Sequence, residues 1–275
     1  MLATLIIVFR EVIEAGLIIG IVLSATEGVR NRARWIFAGA AGGILGACVV
    51  ALFADSIANQ MEGTGQELFN AAVMTIAVAM LTAHNVWMAR SGRQLGIEAR
   101  SLGQDVADGS RTLIALATVV GVALLREGSE VALFLYGIAL SESDGNGQML
   151  LGGALGLGLG GVVSACMYFG LLRIPPRHLF AVTSRLIALL AAGMAAQAAV
   201  YLQQSGWITA LPRVVWDTSH VLSESSIPGR ALHSLIGYAD RPTALQLLVY
   251  LATLCGIFVL MRLFGSTAPV KASRA

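Results

Sequence analysis

Charge is what this chain has least of. Asp, Glu, Lys and Arg together make up 12% of its 275 residues, about half the share usual in a soluble domain. Hydrophobic residues make up 56% and the mean hydropathy is +0.76. A water-soluble globule is excluded, and a polytopic membrane protein is expected. Cysteine is also scarce. Cys48, Cys166 and Cys255 are far apart in apolar stretches with no C-x-x-C spacing, so a zinc or dithiol centre is not supported and they read as small core residues. No cluster of basic residues interleaved with aromatics occurs, so nucleic acid is not an expected partner. The N-terminus lacks a basic leader region and a small-residue cleavage site. It reads as a retained first helix rather than a signal peptide.

Long apolar runs are abundant. A spanning helix needs about 20 such residues, and seven segments qualify: 2–25, 34–54, 66–89, 112–140, 149–172, 180–203 and 244–264. Basic residues separate the sides. Arg30, Arg32 and Arg34 fill the first loop; Arg90, Arg93, Arg100 and Arg111 the third; Arg173 and Arg177 the fifth. Arg262 closes the last segment, and Lys271 and Arg274 follow it. Loops two and four carry Asp55, Glu62, Glu142 and Asp144 instead. The positive-inside rule then puts the N-terminus outside and the C-terminus inside. Only the long sixth loop, 204–243, with Arg213, Arg230 and Arg241, runs against that count. Long loops obey the rule less strictly.

The few charges inside apolar segments are patterned. Arg10-Glu11-Val12-Ile13-Glu14 interrupts the first segment and Arg126-Glu127-Gly128-Ser129-Glu130 the fourth. A charge at bilayer depth costs about 2.5–3.5 kcal/mol or more, so it faces a partner or a wet path. Glu at i and i+3 share a helix face, and each Arg lies one turn before the second Glu, placed to keep it ionised. Two Arg and four Glu leave a net negative site with up to eight carboxylate oxygens, which suits a hard cation. Charges that only locked helix packing would not need two surplus carboxylates. The first segment descends from outside and the fourth rises from inside, which predicts inverted repeats of three helices each, a transporter plan with its site near the midplane. The expected fold is therefore an all-α polytopic membrane protein of seven transmembrane helices. One domain covers 1–265: repeats at 1–90 and 111–204, an outer loop at 205–243 and a seventh helix at 244–264. A cytoplasmic tail occupies 266–275.

Both pentads resemble the Arg-Glu-Gly-Leu-Glu motif of the high-affinity iron permease family, the oxidase-dependent iron transporters of fungi and bacteria. The middle pair is Val12-Ile13 in one copy and Gly128-Ser129 in the other, with the charged positions intact. The likeness extends to Gly65-Gln66-Glu67-Leu68-Phe69, Ala192-Gly193-Met194-Ala195-Ala196-Gln197, Val215-Trp216-Asp217-Thr218-Ser219 and Leu235-Ile236-Gly237-Tyr238. The resemblance implies a seven-helix permease, not an enzyme, with the N-terminus outside. Iron ions would be its substrate, carried by Glu11, Glu14, Glu127 and Glu130 with Arg10 and Arg126 as charge partners, without an organic cofactor. It implies a multi-pass protein of the cell membrane, the bacterial inner membrane, in contact with membrane lipids. An iron oxidase or iron-delivery protein, periplasmic or extracellular, would be a separate chain. Three other readings stay open: another divalent metal or lead as cargo, a proton-conducting subunit, and a membrane di-metal enzyme. The last would normally show Glu-x-x-His, and here both second positions are Glu.

Other residues carry two readings each. Glu67 opens the third segment, where a helix N-terminus favours a carboxylate whatever its function, or it admits metal. Glu142 and Asp144 attract cations or form a solvated turn. Met194 and Gln197, one turn apart, line the path by family likeness or pack helices. His84 and Asn85, read as near the inner side, are a hydrogen-bonded core pair or an exit ligand. Gly152, Gly153, Gly156, Gly158, Gly160 and Gly161 crowd the fifth segment and predict close helix packing.

Overall fold

The computed structural model describes residues 1–60, 66–141, 146–170 and 176–265. Among them the regular structure is helical, apart from one isolated antiparallel bridge between Val214 and Thr243. The helices are α1 (Leu2–Ala25), α2 (Arg32–Gln60), α3 (Gln66–Ala107), α4 (Ile114–Ser141), α5 (Asn146–Tyr168), α6 (Pro176–Gln204), α7 (Ile227–Ile236) and α8 (Ala244–Gly265). Five of them, α2, α3, α5, α6 and α8, are long and apolar enough to cross a membrane. The other two long helices, α1 and α4, have 24 and 28 residues. At about 1.5 Å per residue both are longer than a bilayer's hydrocarbon core of about 30 Å and can cross it, and each carries a pentad's three charges near mid-length.

α1, α3, α4 and α6 form the middle of the bundle. α2 lies along α4, α5 along α1, and α8 along α3 and α6. The peripheral helices turn large apolar side chains outward, among them Phe37, Leu45 and Phe53 of α2, Leu151 and Leu155 of α5, and Leu251 and Phe258 of α8. With no water at that depth, this is a surface for lipid.

Two buried apolar clusters show how the middle helices run. In one, Ala3 and Ile7 of α1 meet Ala77 and Leu81 of α3, Phe134 and Ile138 of α4, and Ile187 and Met194 of α6. In the other, Val22 of α1 meets Ile36 of α2, Ala99 and Val106 of α3, and Leu116 and Val120 of α4. The start of α1 thus lies beside the end of α4, and its end beside the start of α4. These two helices are antiparallel, and the pentads meet between the clusters.

Glycine makes the closest contacts. A side chain at Gly156 would place its Cβ 2.7 Å from the Leu5 carbonyl oxygen and 3.0 Å from the Phe9 nitrogen; one at Gly43 would sit 2.4 Å from the Gly121 oxygen. These neighbours are backbone and cannot rotate away. Gly158 and Gly161 on the same α5 meet nothing within 4 Å, so part of the stripe serves packing and part faces outward. Gly156→Val is expected to lower thermal stability by about 1–3 kcal/mol or more, the range of an overpacked core. Gly158→Ala is expected to raise it by about 0.5–1 kcal/mol. Thermal melts in detergent, followed by tryptophan fluorescence, check the pair.

Two features differ from the sequence expectation. The third loop is largely helical, because α3 continues to Ala107. Ala99, Leu102 and Val106, at helical spacing, pack into the second apolar cluster, which holds a polar segment helical after its apolar run has ended. The sixth loop contains α7. Ser226 caps its start, accepting from the Gly229 nitrogen at 3.1 Å, and Gly237 ends it at φ +69°, a conformation glycine adopts without strain. The tail, 266–275, lies outside the described residues.

Candidate metal centre

The pentads build the centre by helical geometry. Arg10 Nε donates to Glu14 Oε1 at 2.7 Å, and Arg126 Nε donates to Glu130 Oε1 at 2.9 Å. Each arginine therefore braces the glutamate one turn ahead. Glu11 and Glu127, three residues before those braced carboxylates, have no arginine bridge and face the interior. Both are buried, as are Glu14 and Arg10. One ligand atom each from Glu11, Glu127, Glu130 and His84 lie within 4.8 Å of one another. Glu14 sits beside this set, with Oε2 3.8 Å from His84 Nε2.

Several of these atoms lack donors. Both oxygens of Glu11, Oε2 of Glu14, Glu127 and Glu130, and both ring nitrogens of His84 are buried without a hydrogen-bond partner. Buried polar atoms are satisfied in the great majority of cases. An unsatisfied cluster of carboxylate oxygens is therefore chemically suited to a cation, which supplies the missing positive charge.

His84 is where the structure departs most from the sequence reading. It lies level with the pentads, not near the inner side. The reason is axial offset: α3 begins well before α1 does, so Ala77 and Leu81 pack beside Ala3 and Ile7, and one more turn brings His84 level with Glu11. Its Nδ1 contacts Glu130 Oε2, and its Nε2 lies 3.8 Å from Glu11 Oε1. The ring stands edge-on to Phe134, centroids 6.2 Å apart. Asn85 behaves as a core residue. Its Nδ2 donates to the Ser184 carbonyl at 3.0 Å and its Oδ1 accepts from Arg10 Nη1 at 3.4 Å.

The two copies are not equivalent. Arg10 is 1% exposed and Arg126 37% exposed along their side chains. Arg126 also lies over the Trp87 ring, 3.7 Å from its centroid, a cation–π contact that Arg10 lacks.

The remaining sequence candidates are scattered. Met194 is buried in the apolar cluster above the charges, with Phe134 and Ile138. Gln197 lines a pocket of about 240 Å³ with Trp216, Glu224, His233 and Tyr238. Glu67 is exposed in the first turn of α3. Glu142 and Asp144 lie outside the described residues. The segments around Trp216 and Tyr238 come together: the Tyr238 and Thr218 hydroxyls are 2.6 Å apart, and Tyr238 donates to the Leu222 carbonyl at 2.8 Å. Asp217 pairs with Arg241 at 3.1 Å. Hydrogen bonds from Ser219, with Arg241 adding to them, hold the Asp217 carboxyl down at about 2.

A family model matches the chain over residues 1–268, and that model describes the Iron permease FTR1 family. The chain belongs to that family. Its curated relatives include the ferrous iron permease EfeU of Escherichia coli O6:K15:H31 (strain 536 / UPEC), 30% identical over 275 residues, 98% of this chain and 99% of the relative. Ferrous iron permease EfeU of Shigella sonnei (strain Ss046) matches at 30% over the same length. The EfeU of Yersinia pestis is 27% identical over 264 residues, 94% of this chain and 93% of the relative. No solved structure matches. The FTR1 assignment agrees with the sequence-level resemblance and with a multi-pass membrane protein, and the family is one of permeases rather than enzymes.

Proposed function

We propose that this FTR1 family member imports iron ions through a midplane site formed by its two Arg-Glu-x-x-Glu motifs. The observation that carries the reading is the convergence of donor-free carboxylate oxygens from α1 and α4 between two apolar clusters. Iron is favoured over other cations because the curated relatives are named ferrous iron permeases. They also favour the bacterial inner membrane as its location, with any oxidase or iron-delivery protein a separate chain.

Corresponding helix contacts favour an inverted-repeat architecture with the site at the midplane. Close contacts of α1 with α5 recur between α4 and α2. Gly152 against Met1, Gly156 against Leu5 and Gly160 against Val12 correspond to Gly39 against Ala117, Gly43 against Gly121 and Ala47 against Gly128. Each α1 residue maps onto α4 by one offset, 116, and each α2 residue onto α5 by another, 113. Because α1 and α4 are antiparallel, the relation inverts the helix direction, as in transporters whose sites lie where the repeats meet.

Apolar residues close the site on both sides, Ile7, Leu81, Phe134 and Met194 on one and Val22, Leu116 and Val120 on the other. Transport requires these clusters to part alternately while the carboxylates hold the ion. Radioiron uptake into cells, under ferrous and ferric conditions, tests the reading beside a Glu14→Gln/Glu130→Gln variant matched for membrane abundance. Uptake in the parent and its loss in the variant are expected. Equal uptake in a folded variant overturns the site, and uptake of another divalent metal in place of iron overturns the cargo.

A further inference from the structure

We propose that His84 Nε2 is a direct ligand of the transported cation and sets the site's preference for borderline divalent ions over hard ones. This inference rests on the glutamate site proposed above and adds to it a residue on a third helix, outside both pentads.

The imidazole is held as a ligand would be. Its Nδ1 is paired with Glu130 Oε2, and the other oxygen of Glu130 accepts from Arg126 Nε at 2.9 Å. Phe134 stands edge-on to the ring. A carboxylate on one ring nitrogen fixes the orientation and frees the other nitrogen for metal, as in carboxylate–histidine–metal triads. Both ring nitrogens are buried without a hydrogen bond of good geometry, and Nε2 is the one not taken up by the contact with Glu130. It faces Glu11 Oε1 and Glu14 Oε2, each at 3.8 Å. That is too long for a hydrogen bond and within the span of about 4.2 Å that two donors at about 2.1 Å from one cation can reach.

The same geometry divides the glutamates. Glu130 is bonded to Arg126 through one oxygen and touches His84 Nδ1 with the other, and acts as a positioning residue for the imidazole. Glu11 and Glu14 turn donor-free oxygens toward Nε2 and Glu127 keeps a donor-free Oε2, so these three remain free to bind. A purely carboxylate set suits magnesium, calcium and manganese, whereas imidazole suits iron, nickel, copper and zinc. One nitrogen among oxygens therefore shifts the site away from the abundant hard divalent ions, and His84 is the one nitrogen donor in the four-residue cluster.

The test uses the purified full chain with cobalt(II), an air-stable stand-in for ferrous ion, and manganese(II). Dissociation constants are measured for the parent, His84→Gln and Glu11→Gln/Glu127→Gln. In His84→Gln the new side-chain amide still offers Glu130 a hydrogen bond, so packing is largely kept. Cobalt binding by this variant is expected to weaken about tenfold or more and manganese binding less than about threefold. A second readout needs no substitution at position 84. The chain has four histidines, and replacing His178, His220 and His233 by Gln leaves His84 as the sole imidazole. Pulsed electron paramagnetic resonance of the copper(II)-loaded protein is then expected to show the modulation of one coordinated imidazole. An unchanged cobalt-to-manganese ratio in His84→Gln, or no imidazole modulation, overturns the role of His84. Parent-like affinity for both metals in Glu11→Gln/Glu127→Gln overturns the glutamate site instead, whatever His84→Gln does.

Discussion

Glu11→Gln is expected to abolish iron uptake and, in the same protein, to raise its melting temperature. Both effects have one origin. Glu11 is buried, neither of its oxygens has a donor, and it shares a space with the carboxylates of Glu14, Glu127 and Glu130. An unsatisfied buried acceptor costs about 1–3 kcal/mol, more when charged, and like charges at close range add to that. Glutamine has nearly the same shape, carries no charge, and offers two N–H donors to the neighbouring oxygens. Without metal, the exchange should therefore stabilise the fold by about 1–2 kcal/mol, or roughly 2–8 °C. Cation binding loses what the substitution removes, because an amide is a poor substitute for a carboxylate around a hard or borderline ion. Thermal melts in chelator-containing detergent buffer and radioiron uptake at matched abundance check the two halves. A fall in melting temperature alongside lost uptake would mean that Glu11 is structural, because a site held ready for a cation is strained without one.

The pentads were legible because their chemistry is anomalous where they stand. Six charges in lipid-compatible helices need a common explanation, and the i, i+3 and i, i+4 spacings fix which side chains share a face. The repeat predicted that α1 and α4 would run antiparallel with their charges level, and the apolar clusters at either end have that arrangement. His84 was misplaced because its depth was judged from the end of an apolar run. Depth is set by how far neighbouring helices slide past one another, and no single segment carries that information. The extension of α3 was hidden for a related reason. Residues 90–107 are polar, and their helical pattern of Ala99, Leu102 and Val106 has meaning only against a surface supplied by α1, α2 and α4. The pocket that takes in Gln197 is formed by the fold-back of the sixth loop, whose Thr218 and Tyr238 contact spans 20 residues.

Arg10→Gln is expected to be far more damaging than Arg126→Gln, although each opens an Arg-Glu-x-x-Glu pentad. Arg10 is 1% exposed and bonded to Glu14 and Asn85. Removing it strands the Glu14 carboxylate in a region already rich in negative charge. Breaking a buried pair from one side costs about 3–5 kcal/mol, enough to deplete folded protein from the membrane. Arg126 is 37% exposed, and its pair with Glu130 falls nearer the range of about 0–1 kcal/mol for accessible ion pairs. Its contact with Trp87 adds about 0.5–1 kcal/mol. Membrane abundance and melting temperature separate the two variants. The explanation itself is tested by Arg10→Gln/Glu14→Gln. If the cost is a stranded charge, removing both partners should recover most of the stability lost with one, since replacing a whole buried pair is often close to neutral. Equal losses in the single and double variants would place the cost in the packing of the Arg10 side chain. In that case the sequence symmetry of the pentads would hide a division of labour, with one arginine supporting the fold and the other holding Glu130 against His84.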